Sequence, residues 1–282
     1  MPTLMTADLA REPDKPLAVL QASADFLRDH SDLLEREVAR RTQELSDAQD
    51  VTILAITSLA ETRDADTGNH IRRTQHYVKA LAQALTEHPR FKSQLSPQII
   101  EVLYKSAPLH DIGKVGIPDR ILLKPASLSR EEFDIMITHT TLGFDAIEQA
   151  EKTLGTQVPF LKTVKEIALS HQEKWDGSGY PQGLKGDAIP MSARLMAVAD
   201  VYDALISQRV YKPALPHDRA VQIMFQGRGS HFDPDMVDAF IESQHEFDAI
   251  AQRYKDSDAG LQKKMEYMAH AIADEPSRFM AR

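Results

Sequence analysis

From Leu17 to about Ala60 the apolar positions recur at helical spacing, and no glycine or proline interrupts them. Leu20, Leu27 and Leu34 stand seven residues apart, and Val38 and Leu45 follow Leu34 by four and eleven. This a/d-like stripe, interrupted by Arg41, predicts one long helix. Two destinations for its apolar face stay open: a second copy of the chain, or the helix's own domain. Further along, several start signals precede apolar runs with helical period. Ser96-Pro97 places proline at a first helical position after a serine cap. Ser129 and Glu132 form a capping box ahead of Phe133, Ile135, Met136 and Ile137. Pro190 opens the apolar-rich run Met191–Ile206, and Asp233-Pro234 starts a helix through Met236, Val237 and Phe240. Few segments alternate with period two. The expected fold is all-α, with a helical segment over 1–50, a body over 51–250 and a helical tail over 251–282. Gly177, Gly179, Gly183 and Gly186 crowd around Trp175, Tyr180 and Pro181, which predicts a loop that lines a site.

Composition narrows the chemistry. With 282 residues the chain is long enough for a substantial core. It has no cysteine, so disulfides, thiolate metal sites and cysteine nucleophiles are excluded together. Its 33 basic and 42 acidic residues give a net charge of −9, which argues against bulk nucleic-acid binding. An anionic substrate would then need a local positive cluster or cations. Val51 to Ala60 is the longest nearly uncharged apolar stretch, too short for the ~20 residues that cross a bilayer. The N-terminal residues carry neither a basic leader nor an apolar signal region, so a cytoplasmic protein that does not enter the membrane is expected.

Histidine and aspartate supply the candidate chemistry. His110 and Asp111 open HDIGKVGIPD, and on an α-helix Lys114 would share a face with both. Asp66 and His70 have the one-turn spacing that lets two ligands converge. His139, His171 and Asp200 each lie in or beside strongly apolar segments. One such residue is usually a hydrogen-bonded core group. A whole set of them is costly to bury unless a metal satisfies it.

With these motifs in this order, the chain resembles the HD-GYP branch of the HD phosphohydrolases over roughly Leu59 to Phe240. The resemblance rests on ETRDADTGNH, HDIGKVGIPD, the HxxxG of His139 to Gly143, HQEKWDGSGYP and ADVYDALISQRVYKPAL, with Gly179-Tyr180-Pro181 spelling the second motif. It implies an HD-type helical bundle, preceded here by the long N-terminal helix. The implied activity is hydrolysis of cyclic di-GMP to pGpG, with GMP after a second round, through a hydroxide shared by two metal ions, with a third ion an open question. By position, His70, His110, Asp111, His139, His171 and Asp200 match metal ligands, with Asp111 bridging. Lys114 matches a lysine at the scissile phosphate, and Arg209, Lys212 and Tyr180 match substrate contacts. Two positions depart from the pattern. Gln172 stands where a second histidine is usual, and Asp66 where some members carry a glutamate for the third ion. Gln172 as a weaker, harder ligand favours Fe or Mn over Zn. It also keeps alive an alternative, a weak or inactive module that senses cyclic di-GMP or binds protein partners through the GYP loop. A homodimer through the N-terminal helix is the remaining expected partner.

Overall fold

The computed structural model describes residues 15–62, 69–155, 158–208 and 213–257, together with positions 262 and 266. Two compact units divide the chain between Thr52 and Ile53. Helix α1 runs Lys15–Thr62, and its residues up to Thr52 belong to the first unit. There Leu20, Leu27, Leu34, Val38 and Leu45 are between 51% and 73% exposed. Arg41, which interrupts the stripe, pairs along the helix with Glu37, as Arg40 does with Glu37 and Glu44. Such exposed pairs are screened by water and contribute little to stability.

Among the described residues, the second unit comprises the end of α1 and nine further helices: α2 His70–Ala84, α3 Pro97–Ser106, α4 Asp119–Leu122, α5 Arg130–Met136, α6 His139–Leu154, α7 Pro159–Ser170, α8 Met191–Ile206, α9 His217–Gln226 and α10 Pro234–Arg253. Among the described residues there is no strand, only an isolated bridge between Arg228 and Phe232. No described helix is long and apolar enough to cross a membrane. The predicted caps form as the local sequence dictates. The Ser96 and Ser129 side chains accept from Ile99 and Glu132 N–H groups, Glu132 completes its box, and Asp233 accepts from Asp235.

The core gathers around α8, which is buried on nearly every side from Ser192 to Leu205. That burial explains why its sequence is apolar all round rather than striped. Tyr77 of α2, Tyr202 of α8, and Phe240 and Phe247 of α10 pack as an aromatic cluster with centroid distances of 4.8–5.4 Å. This cluster fixes α2, α8 and α10 against one another.

One expectation needs correction. His110 and Asp111 do not lie on an α-helix: they sit in the turn between two short 3₁₀ segments, Ala107–Leu109 and Ile112–Gly116. Pro108 lacks the N–H that would continue α3, so the helix stops before the pair. The turn then packs against the start of α6 with almost no clearance. A Cβ on Gly113 would lie 1.9 Å from the His139 carbonyl oxygen, and one on Gly143 would lie 3.2 Å from Gly113 N. The HxxxG spacing therefore brings a glycine of α6 to face the glycine after His110-Asp111.

Overpacking there should cost stability in graded steps. Gly143→Ala should cost about 1–3 kcal/mol, lowering Tm by roughly 2–4 °C per kcal/mol. Gly113→Ala, which meets backbone and cannot be relieved by a side-chain rotation, should cost more. Thermal unfolding followed by circular dichroism measures both, and a Gly113→Ala protein that melts like the parent would mean the close approach is not maintained.

Candidate metal centre

Five elements deliver six polar side chains to one region. His70 begins α2, His110 and Asp111 occupy the 3₁₀ turn, His139 begins α6, His171 caps the end of α7, and Asp200 comes from α8. Their donor atoms form two sets, His70–His110–Asp200 and Asp111–His139–His171, each with its atoms within 4.8 Å of one another. All four histidines are buried. Asp111 lies between the sets. Its Oδ1 is 3.3 Å from His139 Nε2 and 3.5 Å from His171 Nε2, while its Oδ2 is 3.2 Å from His110 Nε2 and 2.7 Å from Lys114 Nζ.

The hydrogen bonds on the outer side of each ring fix which nitrogen faces inward. Nδ1 of His110, His139 and His171 donates to the carbonyls of Ala107, Met136 and Ile167 at 2.9, 2.8 and 3.0 Å. Nδ1 of His70 donates to Asp203 Oδ2 at 2.9 Å. A neutral imidazole that donates through Nδ1 presents a bare lone pair at Nε2. All four Nε2 atoms turn toward the carboxylates. His70 and His110 bring theirs within 3.4 Å of each other, and the His70 atom is 3.7 Å from Asp200 Oδ1. Asp111 Oδ1, His139 Nε2 and His171 Nε2 are buried with no hydrogen-bond partner. Orphaned acceptors of this kind, converging from different elements, are what a divalent cation satisfies. The donor set of imidazoles and carboxylates fits one.

Electrostatics agree. Burial pushes His139 down to about 4, so its ring is neutral at physiological pH and ready to donate its lone pair. At His110 burial opposes the charged ring, but the carboxylates of Asp111 and Asp200 outweigh it and raise the pKa. At Asp111 burial disfavours the anion, yet Lys114 and His110 hold its pKa well below the usual carboxylate range. Binding of a cation by imidazole and carboxylate ligands is linked to proton release. A cavity of ≈ 20 Å³ beside His70, His110, Asp111 and Lys114 is lined on its other side by Thr57, Ala60 and Glu61 of α1. It has room for one water-sized species.

The glycine loop folds back over this region. A Cβ on Gly179 would meet Lys174 N at 2.3 Å and Glu173 Cα at 2.5 Å, so only glycine allows the backbone to lie there. Tyr180 N–H donates to the Gln172 carbonyl, and the Tyr180 ring stands edge-on to His139 with centroids 6.3 Å apart. Burial raises the pKa of its phenol, which stays protonated. Gln172 meets the loop through its main chain. Trp175 stacks under the guanidinium groups of Arg90 and Arg194 rather than on the histidines. Asp66, Arg209 and Lys212 lie outside the described residues.

Three residues escaped the sequence reading. Asp203 orients His70 and accepts two bonds from Arg73, at 2.6 and 2.9 Å. Glu173, buried, accepts the N–H groups of Gln182 and Leu184 and so pins the loop beyond Tyr180. A signal existed in ADVYDAL, where Asp203 follows Asp200 by one helical turn.

A family model described as HD domain matches residues 56–236. A Vibrio cholerae serotype O1 protein named "Probable cyclic di-GMP phosphodiesterase" is 55% identical over 85% of this chain and 54% of its own length. A second from the same organism, named "Cyclic di-GMP phosphodiesterase", is 56% identical over 76% of this chain and 43% of its own length. A third, named "3'3'-cGAMP-specific phosphodiesterase 2", is 37% identical over 69% and 35%. The chain spans about half the length of the first two relatives.

Cations that satisfy the orphaned atoms should stabilise the fold. A divalent ion at 100 times its Kd contributes about 2.7 kcal/mol per site. Manganese should therefore raise the Tm of chelator-stripped protein, and Asp111→Ala should remove most of that rise. An unchanged Tm across the titration would mean that the six side chains hold no ion.

Proposed function

The chain belongs to the HD domain family, and from that premise we propose that it is a phosphodiesterase that hydrolyses cyclic di-GMP to linear pGpG, with GMP after a second cut. One observation carries the proposal: the Asp111 carboxylate turns one oxygen to His110 and the other to His139 and His171, whose inward nitrogens are buried without a hydrogen-bond partner. The names of the two relatives above 50% identity support the substrate. Glycine, tyrosine and proline at 179–181 place the chain in the HD-GYP branch.

In this reading His70, His110 and Asp200 would hold one ion, His139 and His171 would hold another, and Asp111 would contribute to both. Asp66 and Gln172 complete the shells, and Asp66 serves a third ion if one binds. The mixed imidazole, carboxylate and amide set suits Fe or Mn. When bound, the ions neutralise the diester and activate water. Lys114, with its ammonium 2.7 Å from Asp111 Oδ2, stands where it can meet negative charge on a phosphoryl oxygen or give a proton to the leaving oxygen. Tyr180 walls the same region, and its protonated hydroxyl can donate to the substrate. Arg209 and Lys212 supply the positive charge that a chain of net −9 needs to draw a dianion.

Gln172 favours a second reading, in which the module binds cyclic di-GMP or a protein partner at the GYP loop without turning it over. Chromatography of cyclic di-GMP incubated with the manganese-loaded chain separates the two, with 3'3'-cGAMP run in parallel. We expect pGpG from cyclic di-GMP. Lys114→Ala should lower kcat by about a hundredfold or more with metal content intact, whereas Arg209→Ala and Lys212→Ala should chiefly raise KM. Binding without product would establish the sensor, and faster cleavage of 3'3'-cGAMP would reassign the substrate.

We also propose that the exposed stripe of α1 seats a second copy of the chain. Deleting residues 1–50 should move the light-scattering mass from dimer to monomer. A mass per chain that does not change would place the stripe's partner elsewhere.

A further inference from the structure

His70 is held by a network that reaches well past the family match, which ends at residue 236. Its Nδ1 donates to Asp203 Oδ2, and both Asp203 oxygens accept from Arg73, Nε to Oδ1 at 2.6 Å and Nη2 to Oδ2 at 2.9 Å. Arg73 and Asp203 are almost inaccessible, with side chains 3% and 1% exposed. The Arg73 Nη2 also donates to Ser207 Oγ. Its third nitrogen turns the other way: Nη1 donates to the Tyr254 carbonyl at 3.0 Å and to Asp256 Oδ2 at 2.9 Å. Asp256 Oδ1 accepts the main-chain N–H of Asn69, the residue before His70, and the Asn69 amide donates to the Lys255 carbonyl. Residues 254–256, immediately past α10, therefore grip the two positions that aim His70: the backbone before it and the arginine behind its carboxylate partner.

We propose that the segment Tyr254–Asp256 sets the cation affinity of the His70–His110–Asp200 set, with Asp256 as a positioning residue. The inference rests on the two-ion reading above. Its physical basis is the division of one buried cation between two carboxylates. While Asp256 takes part of the Arg73 charge, Asp203 Oδ2 remains available to the His70 N–H, which fixes the ring and raises its basicity as a ligand. Without Asp256 the guanidinium falls wholly to Asp203, whose charge is then drawn away from His70, and Asn69 loses its main-chain partner. The other set, Asp111–His139–His171, has its ring N–H groups tied to carbonyls and is untouched by this network. A cavity of ≈ 380 Å³ borders Arg73, Ser207, Lys255 and Asp256, so the clamp can be altered from its open side without disturbing the aromatic core.

The test is a manganese titration of the full-length, chelator-stripped chain, with free Mn(II) read by electron paramagnetic resonance. The parent should bind two equivalents. Asp256→Ala should keep one at parent affinity and weaken the other about tenfold, the low end of the loss when a partner behind a ligand is removed. Asp256→Asn, which keeps the side chain's size, should weaken the same equivalent by less, and Asp256→Glu should restore it. Asp238→Ala, which removes an exposed carboxylate paired with Arg228, should bind like the parent. Two equivalents of parent affinity in Asp256→Ala and Asp256→Asn would overturn the inference while leaving the two-ion reading intact. Equal weakening of both equivalents together with a lower Tm would also overturn it, by assigning Asp256 to general stability. A parent that binds fewer than two equivalents would bring down the two-ion reading, and this inference with it.

Discussion

A histidine ring taken out of water must have both nitrogens satisfied, and four rings in one place multiply that demand. The fold meets half of it with three main-chain carbonyls and one carboxylate, all on the outer side of the cluster. On the inner side, Asp111 Oδ1 and the Nε2 atoms of His139 and His171 are left buried without a hydrogen-bond partner. The helices are placed where they are because each must deliver one ring with its outer nitrogen already engaged. α6 and α7 do so at opposite ends, with His139 at the start of one and His171 at the end of the other. A carbonyl three or four residues earlier is within reach at either terminus.

The close contact of Gly113 with α6 follows from the same demand. Asp111 must reach both sets with one carboxylate, so its turn has to approach the start of α6 more closely than any side chain would allow. The aromatic cluster of Tyr77, Tyr202, Phe240 and Phe247 holds the far side of α2 and α8, so His70 and Asp200 meet this turn on a rigid frame.

Much of this was legible in the sequence where the cause is local. Ser96, the Ser129–Glu132 box and Asp233 start their helices because a cap needs only the next three residues. His70, His110, Asp111, His139, His171 and Asp200 stood out as polar groups in apolar surroundings, and the structure brings all six together. What escaped depended on distant partners. The 3₁₀ turn at His110 reflects packing against α6 as well as Pro108. Asp203 and Arg73 lie 130 residues apart, and their shared hold on His70 has no signature within either segment. The neighbours of Trp175 in the sequence point to a site lining, but Arg90 and Arg194, which its ring meets, come from elsewhere in the chain.

Trp175 is the only tryptophan in the chain. Its ring lies within 6 Å of two guanidinium groups, and its backbone N–H joins the loop to the His231 carbonyl. Arg90 and Arg194 in turn bind Asp187 at the loop's far end and Asp233 at the start of α10. Indole emission from this protein consequently has a single source, on the loop that carries Tyr180 and beside two guanidinium charges. The molecule carries its own optical reporter on that loop, needing no label.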